Sequence, residues 1–252
     1  MTMTTVDVKA IEPIRHDEAM RITEVEFGRM LAAARALGAD DWTRPTINTG
    51  WDVRAVMLHL LGAAEGNASF RENVHQLRTG KRLFKEIGGH HWVDGVNEIQ
   101  IRERAQLTNE EIIDRFAAVI PAAVKARRRL PGIVRALPLV DFPEPLGRKS
   151  LGYLMDMVYT RDVWMHRVDI ARATGRPLEL TAEHDGRIVA DMVAEWATLH
   201  DLSFVLELTG PAGATFSSGH GGDTLQIDAV ELVCVLSGRG TGTGLLSYPL
   251  PL

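Results

Sequence analysis

Two apolar, helix-periodic segments of this chain carry ionisable groups where the core of a helical protein would ordinarily place leucine. They are Trp51-Asp-Val-Arg-Ala-Val-Met-Leu-His59-Leu60 and Asp162-Val-Trp-Met-His166-Arg-Val-Asp169. Asp162 and His166 are four residues apart, so on a helix they stand one above the other on a single face. His59 lies between Leu58 and Leu60 on a different helix. A buried carboxylate costs several kcal/mol unless it is paired or bound to metal. A fold that buries these faces must therefore bring partners to them. Two imidazoles and one carboxylate form a three-ligand set that leaves metal positions open for chemistry. The same spacing also allows a metal-free Asp–His pair. Asp169, three residues beyond His166, is placed to accept from the other ring nitrogen of that histidine.

The surrounding pattern is helical for two-thirds of the chain. Apolar positions between Ile14 and Leu37 repeat at helical spacing and stop at Gly38. Thr49 reads as the N-cap of a second helix, with Asp52 as the acidic member of a capping box, running on towards Gly80. After the Gly88–Gly95 break the helical pattern resumes over Val96–Arg104. Thr108-Asn-Glu-Glu111 is a capping box ahead of a helix to Arg129, with Pro121 predicting a kink or a boundary. The proline-rich stretch 131–145 reads as extended connection. Ser150 opens a long helix to Ala173, closed by Gly175 and Pro177. The last third changes character: a helix from Thr181, strand-like runs at 203–209, 214–217 and 224–227, and a helix capped by Asp228. The expected fold class is α+β, with a helical bundle over residues 1–177 and a small α+β domain over 178–252.

Composition narrows the function. The net charge of -5 and a pI near 6.0 argue against a nucleic-acid binder. The basic run Lys125–Arg129 reads as cations favoured at a helix C-terminus. The single cysteine, Cys234, excludes an intrachain disulfide and sits in an apolar run, which fits a reducing compartment and a core thiol. No secretion signal and no apolar stretch of roughly 20 residues is visible, so the expected setting is cytoplasmic and away from membranes. A homo-oligomer is compatible with everything in the sequence. His90 and His91 are a poor metal pair, because adjacent side chains point apart. The Gly238–Gly244 run lacks the strand-loop-helix order of a phosphate loop. Gly62, Ala63 and Gly66 follow His59 and leave space either for a ligand or for a close helix contact.

These motifs resemble those of the mycothiol-dependent maleylpyruvate isomerase family. Gly50-Trp-Asp-Val-Arg-Ala-Val-Met-Leu-His59-Leu is similar to the first motif of its N-terminal domain, a DinB-like four-helix bundle. His166-Arg-Val-Asp169-Ile-Ala is similar to the second. The stretch from Asp223 to Arg239 is similar to its sterol-carrier-like C-terminal α+β domain. The resemblance implies a divalent metal, usually zinc, held by His59, Asp162 and His166, with Asp169 orienting His166. Asp162 departs from the glutamate frequent in the family and is one methylene shorter. Arg239 matches an arginine near the family's C-terminus associated with the cleft between domains; its other reading is a solvated turn between glycines.

The resemblance further implies mycothiol as a low-molecular-weight thiol cosubstrate and a small-molecule electrophile as its partner, in thiol transfer or cis-trans isomerisation. Coordination to a divalent ion deprotonates a thiol, and the thiolate is the nucleophile. The rival readings are a non-catalytic protein that binds an apolar ligand in its C-terminal domain, and a metal-dependent hydrolase.

Overall fold

The computed structural model describes residues 4–89 and 91–251. The chain divides into two compact units. One comprises residues 16–137 and 151–177; the other gathers residues 1–15, 138–150 and 178–252.

The helical unit is built on α1 (His16–Arg35), α2 (Val53–Ala68), α5 (Asn109–Arg128) and α7 (Tyr159–Thr174), with α3 (Phe70–Glu86), α4 (Trp92–Arg102) and the single turn α6 (Gly132–Arg135) beside them. Phe27 and Met30 of α1, Val56, Met57, Leu60 and Leu61 of α2, Phe116 and Val124 of α5, and Val163 and Ile170 of α7 form one continuous apolar core. This is the bundle that the helical spacing predicts. Phe27 and Phe116 meet edge to face, with ring centroids 5.7 Å apart.

Local chemistry explains most boundaries. Thr108 and Glu111 cap α5 reciprocally, Thr108 Oγ1 accepting from the Glu111 amide at 3.1 Å and Glu111 Oε2 from the Thr108 amide at 2.7 Å. Pro121 creates no boundary, and α5 runs through it to Arg128, anchored by buried residues on both sides. Gly175 ends α7 in the left-handed conformation at φ 66°. Two expectations are corrected. The cap of α2 is Asp52 itself, whose side chain accepts from the Ala55 amide at 2.7 Å. Residues 45–52 fold back as a turn through Gly50 at φ +85°, which keeps Thr49 out of the helix. The second helix also breaks at Ser69, which ends α2 and caps α3, accepting from the Glu72 amide at 3.3 Å.

Before α7 the chain makes a π-helical turn, Tyr153–Val158. Arg127, in the basic run that closes α5, turns inward. It is buried and donates to Thr23 of α1 and to Thr160 of α7, at 3.2 and 3.1 Å.

The second unit carries a four-stranded sheet in the order β1 (Thr5–Asp7), β5 (Thr215–Ser218), β4 (Phe204–Thr209), β6 (Asp223–Asp228). The β4–β5 pair is antiparallel; β1 runs parallel to β5, and β6 parallel to β4. Alternation along β4 sends Phe204, Leu206 and Leu208 inward. They lie in the apolar interior with residues of α8 (Asp185–His200) and α9 (Ala229–Leu236). Asp228 caps α9 as its position predicts, accepting from the Val230 amide at 2.9 Å. A short hairpin starts in the proline-rich stretch with β2 (Val140–Asp141) and closes just beyond it with β3 (Arg148–Lys149). Among the described residues no helix is long and apolar enough to cross a membrane.

Candidate metal centre

Helix α2 carries His59 into the bundle two turns after its Asp52 cap, and α7 presents Asp162 and His166 one turn apart. The side chains meet. His59 Nε2 lies 3.2 Å from Asp162 Oδ2, and His166 Nε2 lies 3.3 Å from Asp162 Oδ1. One ligand atom from each residue falls within 4.8 Å of the other two. The imidazoles are 7% and 5% exposed, whereas the carboxylate is 23% exposed, so the group opens on the Asp162 side. The Trp51 ring covers the pair, with centroids 5.1 Å from His59 and 5.9 Å from His166.

Each imidazole is held from behind. Asp169 is fully buried; its Oδ2 faces His166 Nδ1 at 2.8 Å and accepts from the Asn48 side-chain amide at 2.7 Å. His59 Nδ1 faces Gln100 Oε1 at 2.8 Å.

The electrostatics of this group expose a conflict. A neutral imidazole has one N–H, yet His166 faces a carboxylate at each nitrogen, so one of them would meet a lone pair. A second proton resolves this: burial alone would lower the His166 pKa, but the Asp162 and Asp169 carboxylates outweigh burial and push it up to about 9. Burial would raise Asp162, and the two imidazoles overcome that effect and hold it well below the usual carboxylate range. A metal ion in place of the proton resolves the conflict equally well. Donor atoms about 2.0–2.1 Å from a tetrahedral zinc stand about 3.3 Å from one another. Each Nε2 stands at about that spacing from one of the two carboxylate oxygens, His59 from Oδ2 and His166 from Oδ1, beyond the roughly 2.7–2.9 Å of a charge-assisted hydrogen bond. The donor set fits a divalent cation. One turn before Asp162, Tyr159 is pushed up to about 12 by burial and by the Asp162 charge, so its phenol stays neutral.

Other candidate residues fall elsewhere. Arg239 belongs to the second unit, just beyond α9, where its amide donates to the Cys234 carbonyl at 2.8 Å. His91 caps α4, its Nδ1 accepting from the Val93 amide, and His90 lies outside the described residues. Cys234 is buried. Gly62 and Gly66 do not border open space. A Cβ at Gly62 would lie 2.6 Å from the Gln100 Cβ, and one at Gly66 would lie 2.9 Å from Gln76 Oε1. Three polar neighbours of the site, Gln76 on α3, Gln100 on α4 and Asn48 in the turn before α2, carry no sequence signal of their own. Isolated amides on amphipathic helices resemble a solvated face, and only the small-residue spacing on α2 signalled that something approaches it closely.

Comparison with known proteins agrees with this architecture. Residues 24–171 match the family model of the mycothiol maleylpyruvate isomerase N-terminal domain. The crystal structure of a mycothiol-dependent maleylpyruvate isomerase shares the fold at 14% identity and a TM-score of 0.58, covering 95% of this chain and 93% of that one. A structure of a histidine-to-alanine mutant of a mycothiol-dependent maleylpyruvate isomerase superposes with the same score and coverage at 13% identity. No curated protein matches the sequence significantly. More than half of the chain fits the family model, and the chain belongs to the mycothiol maleylpyruvate isomerase N-terminal domain family.

Proposed function

We propose that this protein is a metal-dependent enzyme that uses mycothiol as its thiol cosubstrate, in thiol transfer to an electrophile or in maleylpyruvate-type cis-trans isomerisation. The observation that carries the proposal is the convergence of His59, Asp162 and His166 on one point, with both Nε2 atoms turned to one carboxylate. Family membership supports the thiol and the reaction class.

In this reading His59, Asp162 and His166 hold the ion, and two nitrogens with one oxygen suit zinc. When bound, a divalent ion with this ligand set keeps a net positive charge and acidifies a thiol that joins it. Asp169 holds His166 with Nε2 free to ligate. The Trp51 ring limits water at the imidazoles and strengthens the local field. The neutral Tyr159 phenol offers a hydrogen-bond donor one turn from Asp162. Arg239 is assigned to the reaction through its match to the family's C-terminal arginine. A reducing, cytoplasmic setting follows from dependence on a low-molecular-weight thiol.

The test pairs elemental analysis with an assay of mycothiol-dependent turnover on protein purified without chelator or affinity-column metal. Wild type should carry about one divalent ion per chain and turn over its acceptor only when mycothiol is present, with the thiol consumed in a transfer and returned in an isomerisation. Asp162→Ala should lose the ion and the activity together. Wild type without a stoichiometric ion, or mycothiol-dependent turnover that survives Asp162→Ala, would overturn the proposal.

A further inference from the structure

The nitrogen that His59 offers is decided two side chains away. The Gln76 amide group donates to the Gly62 carbonyl and to the Glu72 carboxylate, both at 2.8 Å, and neither partner can donate in return. Its carbonyl oxygen is therefore the atom that accepts from Gln100 Nε2 at 2.9 Å. That in turn leaves the Gln100 carbonyl oxygen facing His59 Nδ1 at 2.8 Å. Only an N–H satisfies that contact, so the proton of a neutral His59 sits on Nδ1 and the Nε2 lone pair points at Asp162. The chain of amides ends on Glu72, which Arg104 holds at 2.9 Å while also pairing with Glu65.

Space for the chain is built into α2. Gln76 and Gln100 are each 3% exposed. They pass the backbone at Gly66 and Gly62, where a Cβ would collide with them at 2.9 and 2.6 Å. Helices α3 and α4 also nearly touch, since a Cβ on Gly95 would lie 2.1 Å from the Gly80 carbonyl oxygen. This close approach sets Gln76 beside Gln100.

We propose that Gln76 and Gln100 are positioning residues for metal binding, fixing His59 as its Nδ1–H tautomer and thereby selecting Nε2 as the ligating atom. The inference rests on the metal-centre reading above and assigns it a part that nothing in the three-residue set requires. It also separates the two imidazoles: His166 is backed by a carboxylate, whereas His59 is backed by a neutral amide that adds no charge to the site.

Imidazole NMR on zinc-loaded wild type should show His59 bound through Nε2, with an Nδ1–H protected from solvent exchange. Competition with a chromophoric chelator should show zinc affinity falling about 10–100-fold in Gln100→Leu. Gln100→Glu keeps an acceptor at Nδ1 but can no longer donate to Gln76, so it should lose less affinity than Gln100→Leu, and Gln76→Leu should likewise fall between wild type and Gln100→Leu. Coordination through Nδ1, or a Gln100→Leu variant that binds zinc like wild type, would overturn the relay while leaving the metal site standing. Failure of wild type to bind zinc would overturn both. If Gln100→Leu does not fold, the wild-type spectrum decides the question.

Discussion

The interior of the helical unit and that of the sheet unit are built on different principles. The sheet unit packs Trp196, Phe204, Leu206, Phe216 and Val233, and its buried carboxylates fasten backbone as well as side chains: Asp185 accepts from the Thr181 amide at 2.7 Å, and Asp191 accepts from the Ile14 amide at 3.0 Å and lies 3.8 Å from Arg187. The bundle has an apolar core of the same kind, yet it also buries Glu26, His59, Gln76, Gln100, Arg127, His166, Arg167 and Asp169. Polar burial on that scale is unnecessary for folding four helices and costs free energy unless every group is paired. It gathers around α2 and α7, where the proposed metal site lies.

The largest expected effect on stability comes from breaking a buried pair in the bundle. Glu26 receives two bonds from Arg167, both at 3.0 Å, and joins α1 to α7 next to His166. Glu26→Ala removes the carboxylate that receives both of these bonds from a buried guanidinium and should cost about 3–5 kcal/mol in denaturant unfolding, with weakened metal binding. Leu206→Ala cuts the sheet unit's core instead and should cost about 2–5 kcal/mol. Its measured metal affinity should stay at the wild-type value; a drop would erase the contrast between the two interiors.

Protons provide the next test. His166 is raised to about 9 from an ordinary value of about 6.5. Its protonated form therefore stabilises the metal-free fold fully below about pH 6.5, and that contribution is lost as pH rises through 9. Asp162 is shifted the other way, so its contribution is present above the ordinary carboxylate range and is lost only in strong acid. A metal must displace the His166 proton, so isothermal titration should show zinc affinity rising nearly tenfold per pH unit from pH 7, about 50-fold between pH 7 and 9, and levelling above. An affinity independent of pH over that range would contradict the assignment of His166 as a ligand. The smallest effect is expected from the start of α2: Asp52→Ala removes the cap and should lower stability by about 1 kcal/mol, read from the thermal midpoint.

Sequence alone discloses features whose physics is local. The reciprocal cap Thr108/Glu111, the Gly175 stop, the Asp228 cap and the alternation along β4 are each decided within a few residues. The pairing of Asp162 with His166 is of the same kind, since helical pitch stacks them. What stays hidden depends on distant partners. Strand β1 exists because Thr5 pairs with Thr215. The break at Ser69 is invisible because the apolar pattern runs on through Phe70, which is exposed. The Gln76–Gln100 chain could not be read either, since an amide shows no preference for a partner until three helices meet. The glycines at 62 and 66 were legible as a close approach but not as room for those two side chains.

The central claim is that two imidazoles and a carboxylate from separate helices grip one ion. Zinc-edge X-ray absorption on protein loaded with one equivalent of zinc tests it most directly. The account predicts two imidazole nitrogens and carboxylate oxygen at about 2.0–2.2 Å, with the imidazole signature reduced to one ring in His59→Ala. A spectrum without two imidazoles, or one that His59→Ala leaves unchanged, would contradict it.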